Sequence, residues 1–166
     1  VRLWRWFIKW YGPLTAKPYI FLSGGIEGLL NAKRKQWGMH LIKEARKKVN
    51  DTITLKAWYS EYGFVWRKDK INCYSKPWLT AAKWGGDCED FALLSWEVLR
   101  GNKKCVMAVC HGRKDGKRRG HAILLVYEDD QWRVMSNMYR LASYDSKEKA
   151  AESVYGDKTV DYFFVG

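Results

Sequence analysis

Between residues 36 and 49 the apolar positions Trp37, Leu41, Ile42, Ala45 and Val49 recur at helical spacing. Lys43, Arg46, Lys47 and Lys48 fall on the opposite side. The pattern predicts an amphipathic helix there, with a second, shorter one over residues 54–61. Residues 64–69 read as a connector. Pro77 suits the first turn of a short helix through Trp84, which Gly85 would end. Asp87 is a good N-cap, and Phe91, Leu94 and Val98 again have helical period. A helix is therefore expected from Cys88 to about Arg100, closed by Gly101 and Asn102.

Downstream of that helix the period changes. Residues 104–110, 121–127, 131–136 and 160–165 read as strands. Glu128, Asp129 and Asp130 form a tight hairpin turn, and residues 145–155 a short helix between the last two strands. Helices followed by a mainly antiparallel sheet imply an α+β fold. Residues 1–30 are aromatic and punctuated by glycine, and read as short helical pieces and turns. There is no repeat, linker or low-complexity tract, so residues 1–166 are expected to form one domain.

The chain has 166 residues, 47% of them hydrophobic, enough for a substantial core and unlike a disordered chain. Its net charge of +12 favours anionic partners such as nucleic acid, a membrane surface or an acidic protein. Two basic stretches are candidates for that contact. One is the helix face Lys43, Arg46, Lys47 and Lys48; the other is the loop Arg113, Lys114, Lys117, Arg118 and Arg119. Both equally suit a solvated surface, and no named nucleic-acid motif accompanies them. No stretch approaches the ~20 apolar residues of a membrane span. No signal peptide is evident either, and a cytoplasmic protein is expected.

Cys73, Cys88, Cys105 and Cys110 lack the paired spacing of a zinc or redox site and are expected as free thiols. Cys105 and Cys110 lie five apart on one strand and so face opposite ways. Cys88 differs from the rest. In the first turn of a helix, backbone N–H groups and the macrodipole favour a thiolate. His121 opens the apolar run Ala122 to Val126. A thiol at a helix start and a histidine on a later strand are the minimum for cysteine nucleophilic catalysis. His121 would lower the Cys88 pKa and then protonate the leaving amine. The Cys88 backbone N–H would be one oxyanion donor, with Trp84 or a side chain of residues 74–78 candidates for the second.

Several stretches carry a family resemblance: Val49-Asn50, the run Phe64 to Asp69, Tyr74 to Trp78, Gly86-Asp87-Cys88-Glu89-Asp90-Phe91-Ala92, and His121-Ala122-Ile123-Leu124. Through them residues 48–137 resemble the bacterial transglutaminase-like cysteine proteinases, within the transglutaminase/papain-like group. The resemblance implies a papain-like core in which the nucleophile-bearing central helix packs on the sheet. Residues 48–166 would form that core and residues 1–47 an aromatic and basic extension. It implies thiol chemistry on peptide or glutamine amides, hence a peptidase, with an acyltransferase or deamidase as the alternative. The family includes phage-carried members, a setting that suits a small basic protein.

The family usually has Leu-Asp-Asn on the strand after the histidine strand, where this chain has Met135-Ser136-Asn137. Alignment register favours Ser136 as the group that orients His121, while chemistry slightly favours the amide of Asn137. Adjacent strand positions face opposite ways, so only one of them reaches the ring without a bulge. No cofactor is required. The carboxylates of Asp87, Glu89 and Asp90 suit either helix capping or a calcium site, with Asp87 and Glu89 as ligands, and Asp90 could instead pair with a buried cation. The departure at Ser136 leaves room for a non-catalytic basic module that binds nucleic acid or an acidic protein.

Overall fold

The structure, a computed structural model, describes residues 25–68 and 75–165. The expectations for residues 1–24, and those for Cys73 and Tyr74, lie outside the described residues. Helix α1 spans Gly25–Lys48, eleven residues longer at its start than the apolar spacing predicts. Residues 31–36 are exposed, so these six positions present no buried face. Leu41, Ile42, Ala45 and Val49 are buried as expected. At Gly38 a Cβ would stand 1.9 Å from the carbonyl oxygen of Trp78, so the glycine lets two backbones meet.

Helix α2, Thr52–Tyr62, is capped by Asp51, whose carboxylate accepts the Thr54 backbone N–H. The Thr54 hydroxyl reaches back to the Asp51 N–H and completes a capping box. Trp58, Tyr59, Phe64 and Phe91 stack behind it, with Tyr59 and Phe91 edge to face at 5.4 Å. Helix α3, Pro77–Lys83, has its proline in the first turn but is not ended by Gly85. Trp84 takes the left-handed C-cap, φ 52°. Gly85–Gly86 is instead strand β2, parallel to β1, Val65–Trp66, inside the expected connector. A side chain at Gly85 would stand 2.3 Å from the Val65 carbonyl oxygen.

Helix α4, Cys88–Leu99, buries Phe91, Ala92, Leu94, Val98 and Leu99. Each large apolar side chain so buried contributes about 1.5–3 kcal/mol. The sheet has the order β6-β5-β4-β3-β7, all antiparallel: β3 Lys104–Lys114, β4 Lys117–Glu128, β5 Gln131–Ser136, β6 Tyr139–Tyr144 and β7 Thr159–Val165. Met107, Ala122, Leu124, Val126 and Met135 pack against the helices. Ala108, Cys110, Ile123, Leu125 and Val134 face the other way, onto Ala150 and Ala151 of helix α5, Lys147–Glu152. Cys105 and Cys110 thus lie on opposite faces, as their spacing requires. The fold is α+β, with α4 packed on an antiparallel sheet. Among the described residues no helix is long and apolar enough to cross a membrane.

Three features depart from the expected strands. Strand β6 was not anticipated. Residues 113–119 are not a loop: β3 and β4 stay paired to Lys114↔Lys117, joined by Asp115 and Gly116 at φ 53° and 71°. Two positive-φ residues of this type suit a tight two-residue hairpin. Glu128, assigned to a turn, is 6% exposed and ends β4. It accepts from the backbone N–H and hydroxyl of Thr52 and lies 3.5 Å from Arg133 and 3.7 Å from Arg140, pinning α2 to the sheet. The basic face of α1 is partly neutralised, because Arg46 pairs with Glu97 and Lys47 with Glu44.

Candidate active site

Helix α4 begins where the sheet is incomplete. β5 pairs with β4 only from Leu124 to Glu128, so that edge of β4 is free at residues 121–123. Backbone N–H groups lie in the plane of a sheet and point at its neighbours. The backbone N–H of Ala122 favours the Cys88 thiolate, which puts the sulfur near this stretch of β4. Cys88 therefore lies close to the stretch of β4 that β5 leaves unpaired, one residue along from His121. Its own N–H is among those at a helix start that lack an intrahelical partner.

His121 shares its face of β4 with Ile123. Both line a cavity of about 250 Å³ together with Val134, Ser136, Leu141 and Val154. The ring Nε2 lies 2.8 Å from the Ser136 hydroxyl. Asn137, one residue on, turns the chain between β5 and β6 at φ 53°, and its amide oxygen is buried without a hydrogen-bond partner. The hydrogen bond to His121 therefore falls to Ser136, the position favoured by register, rather than to the amide favoured by chemistry. The indole N–H of Trp84 is likewise buried without a partner among the described residues.

The protonation state is opposite to the one the helix start suggests. Burial pushes the Cys88 thiol up to about 12, against the pull of the Ala122 N–H, and Glu89 pushes the same way. The thiol donates to the Glu89 carboxylate at 3.0 Å, a bond that holds the neutral form. Burial also holds His121 below its ordinary value, partly offset by Glu89. The resting pair is thus a neutral thiol and a neutral imidazole, each hydrogen-bonded to a neighbour rather than to the other. Sequence reasoning noted Glu89 only as a capping or calcium carboxylate and missed its contact with Cys88.

Asp87 stands at the N-cap position in extended conformation but makes no side-chain cap bond. Asp90 is buried, and its carboxylate accepts the Ser75 N–H at 2.8 Å, tying residue 75 to α4. Gly86 makes room for it, since a Cβ there would stand 2.4 Å from an Asp90 oxygen. Among the described residues no three His, Cys, Asp or Glu side chains converge as a metal cradle.

No family model and no curated protein matches the chain. Two solved structures are similar to it. A candidate cysteine protease from Cytophaga hutchinsonii has a TM-score of 0.48 and 17% identity over 89% of this chain, which spans 57% of that one. LapG of Legionella pneumophila has a TM-score of 0.46 and 20% identity, covering 80% of this chain and 76% of its own. Likenesses of this size carry no functional argument, which has to come from the residues themselves.

Proposed function

We propose that this chain is a cysteine-dependent amide hydrolase, a peptidase of transglutaminase-like type, with Cys88 as nucleophile, His121 as base and acid, and Ser136 as the group that orients the ring. One observation carries the reading: Cys88 lies near Ala122, at the stretch of β4 that β5 leaves unpaired, and Nε2 of the adjacent His121 is held by Ser136 at 2.8 Å. If Nε2–H donates to the serine, Nδ1 is left unprotonated as the base.

In this mechanism the Cys88 sulfur attacks the amide carbonyl carbon while its proton passes to Nδ1 of His121. The helix-start N–H groups stabilise the oxyanion. The imidazolium gives the proton to the leaving amine, and the C–N bond breaks to leave a thioester. Water then attacks, His121 takes its proton, and the thiol is restored. The neutral resting pair supports proton transfer concerted with attack rather than a preformed ion pair. For the reaction to start, the thiol proton must turn from Glu89 to His121.

The test is digestion of a peptide library by the full chain, read by mass spectrometry, alongside Cys88→Ala and His121→Ala. The reading requires cleavage by the parent and an acyl adduct on Cys88 after acid quench, both absent in the variants. Added hydroxylamine separates the fates of the thioester: hydroxamate in place of acid marks acyl transfer. Parent and variants equally inert, with no adduct, would remove the enzyme reading.

A further inference from the structure

The paired register of the β3–β4 hairpin sorts its cations onto two faces. Residues directly opposite in an antiparallel pair share a face, and alternate residues along a strand do too. Lys114 pairs with Lys117, Gly112 with Arg119, and Cys110 with His121. Lys114, Lys117 and Arg119 therefore lie on the His121 face of the sheet. Arg113 and Arg118 lie on the other.

Contacts fix both assignments. Tyr155 covers Gly112 so closely that a Cβ there would meet its ring at 2.2 Å, and Arg119 and Cys88 both act electrostatically on its phenol. On the reverse face Arg118 is 3.0 Å from Asp161, which also meets His111 at 2.5 Å. That face is partly neutralised. Among the described residues Lys114, Lys117 and Arg119 have no carboxylate in ion-pair range, and all three are exposed. They form a rail of positive charge leading along β4 to His121, where the apolar cavity opens.

We propose that this rail docks an acidic segment of the protein substrate, with carboxylates two and four residues from the bond to be cleaved. The inference rests on the peptidase reading for its substrate class. A strand advances about 3.3 Å per residue, so Arg119 and Lys117 stand about 7 and 13 Å from His121. An extended peptide laid along β4 has the same rise, and its alternate side chains meet those cations in step.

The experiment measures binding on the full chain carrying Cys88→Ala, so that it does not depend on turnover. The probe is a fluorescein-labelled peptide of alternating glutamate and alanine, with a glutamine counterpart, read by anisotropy at 150 mM salt. The Debye length there is about 8 Å, short enough to separate the two faces. Two variants remove equal charge: Lys117→Gln/Arg119→Gln from the rail and Arg113→Gln/Arg118→Gln from the reverse face. Each exposed pair is worth about 1.4- to 5-fold in affinity. The rail variant is expected to bind the glutamate peptide about 2- to 25-fold more weakly, and the reverse-face variant less than twofold more weakly than its parent. The parent should bind the glutamine peptide weakly. Equal losses from the two faces, no binding at 1 mM, or tighter binding of a single-stranded oligothymidylate would overturn the proposal. A Cys88 that forms no acyl adduct would sink the peptidase reading instead, with the binding result unaffected.

Discussion

Replacing Glu89 by Gln should make Cys88 more reactive. The Glu89 carboxylate lies 3.0 Å from the sulfur and accepts its proton, which stabilises the thiol, and its charge opposes the thiolate. Glutamine keeps the shape and removes the charge, so the thiolate gains. At 3.0 Å two unit charges repel by about 1.4 kcal/mol in water-like surroundings and about 5.5 kcal/mol at an effective dielectric of 20. Even the lower figure is about a tenfold change in thiolate population at fixed pH. Burial, the larger cause of the high value, stays in place, so Cys88 should still titrate above an ordinary thiol. The assay is iodoacetamide labelling at pH 8, resolved by cysteine with mass spectrometry. Cys105 and Cys110, which burial pushes up to about 12 and about 11, are the internal references. Glu89→Gln should label at Cys88 at least tenfold faster than the parent, with the two references unchanged. A Cys88 rate within twofold of the parent would refute the assignment of Glu89 as the carboxylate that holds the resting thiol. A rise at all three cysteines would mean loosened packing and would refute it equally.

Other outcomes follow from single contacts. Ser136→Ala removes the partner of His121 Nε2 and should lower kcat/KM about tenfold while leaving the fold intact; Ser136→Asp should raise the His121 pKa and move the acid limb of the kcat/KM profile to higher pH. Burial holds the folded pKa of His121 below its unfolded value near 6.5, so the unfolded chain takes the proton first as pH falls. Stability should therefore drop below about pH 6.5, and His121→Gln should flatten that slope in urea melts at pH 5.0 and 7.5. Gly112→Ala drives a methyl into the Tyr155 ring and should cost about 1–3 kcal/mol, read as a lower Tm. Thr52→Val strips a hydroxyl from the buried Glu128 carboxylate and should cost about 1–3 kcal/mol by denaturant unfolding.

The sequence was informative where one residue's neighbours along the chain decide its environment. The start of α4 at Cys88, the buried faces of α1 and α4, and the apolar run after His121 each follow from local spacing. It was silent where both sides of an element meet water. Residues 31–36 of α1 are exposed all round. Strand β6 alternates weakly, with Tyr139 and Leu141 exposed, and residues 113–119 are charged on both faces, so neither shows the period of a half-buried strand. The β1–β2 pair is two residues long, and its only sequence trace is Gly85, which admits the Val65 carbonyl. The partner of His121 was legible as a choice between two neighbours. The turn at Asn137 resolved it, because a residue bent to φ 53° leaves the strand that brings Ser136 to the ring.

The resting state of Cys88 shows why composition around a site does not fix its sign. A helix start favours a thiolate by about 0.3–1 kcal/mol at an exposed position. Burial around Cys88 acts in the other direction and raises its pKa to about 12. That burial exists only once β4 has met α4. Glu89 pushes the same way. In the sequence that residue reads as a first-turn acid matched to the helix dipole, yet the same carboxylate lies against the sulfur. One residue thus favours the helix and opposes the anion that the helix would otherwise favour. Displacing that carboxylate, or neutralising it, frees the Cys88 proton from the group that now accepts it.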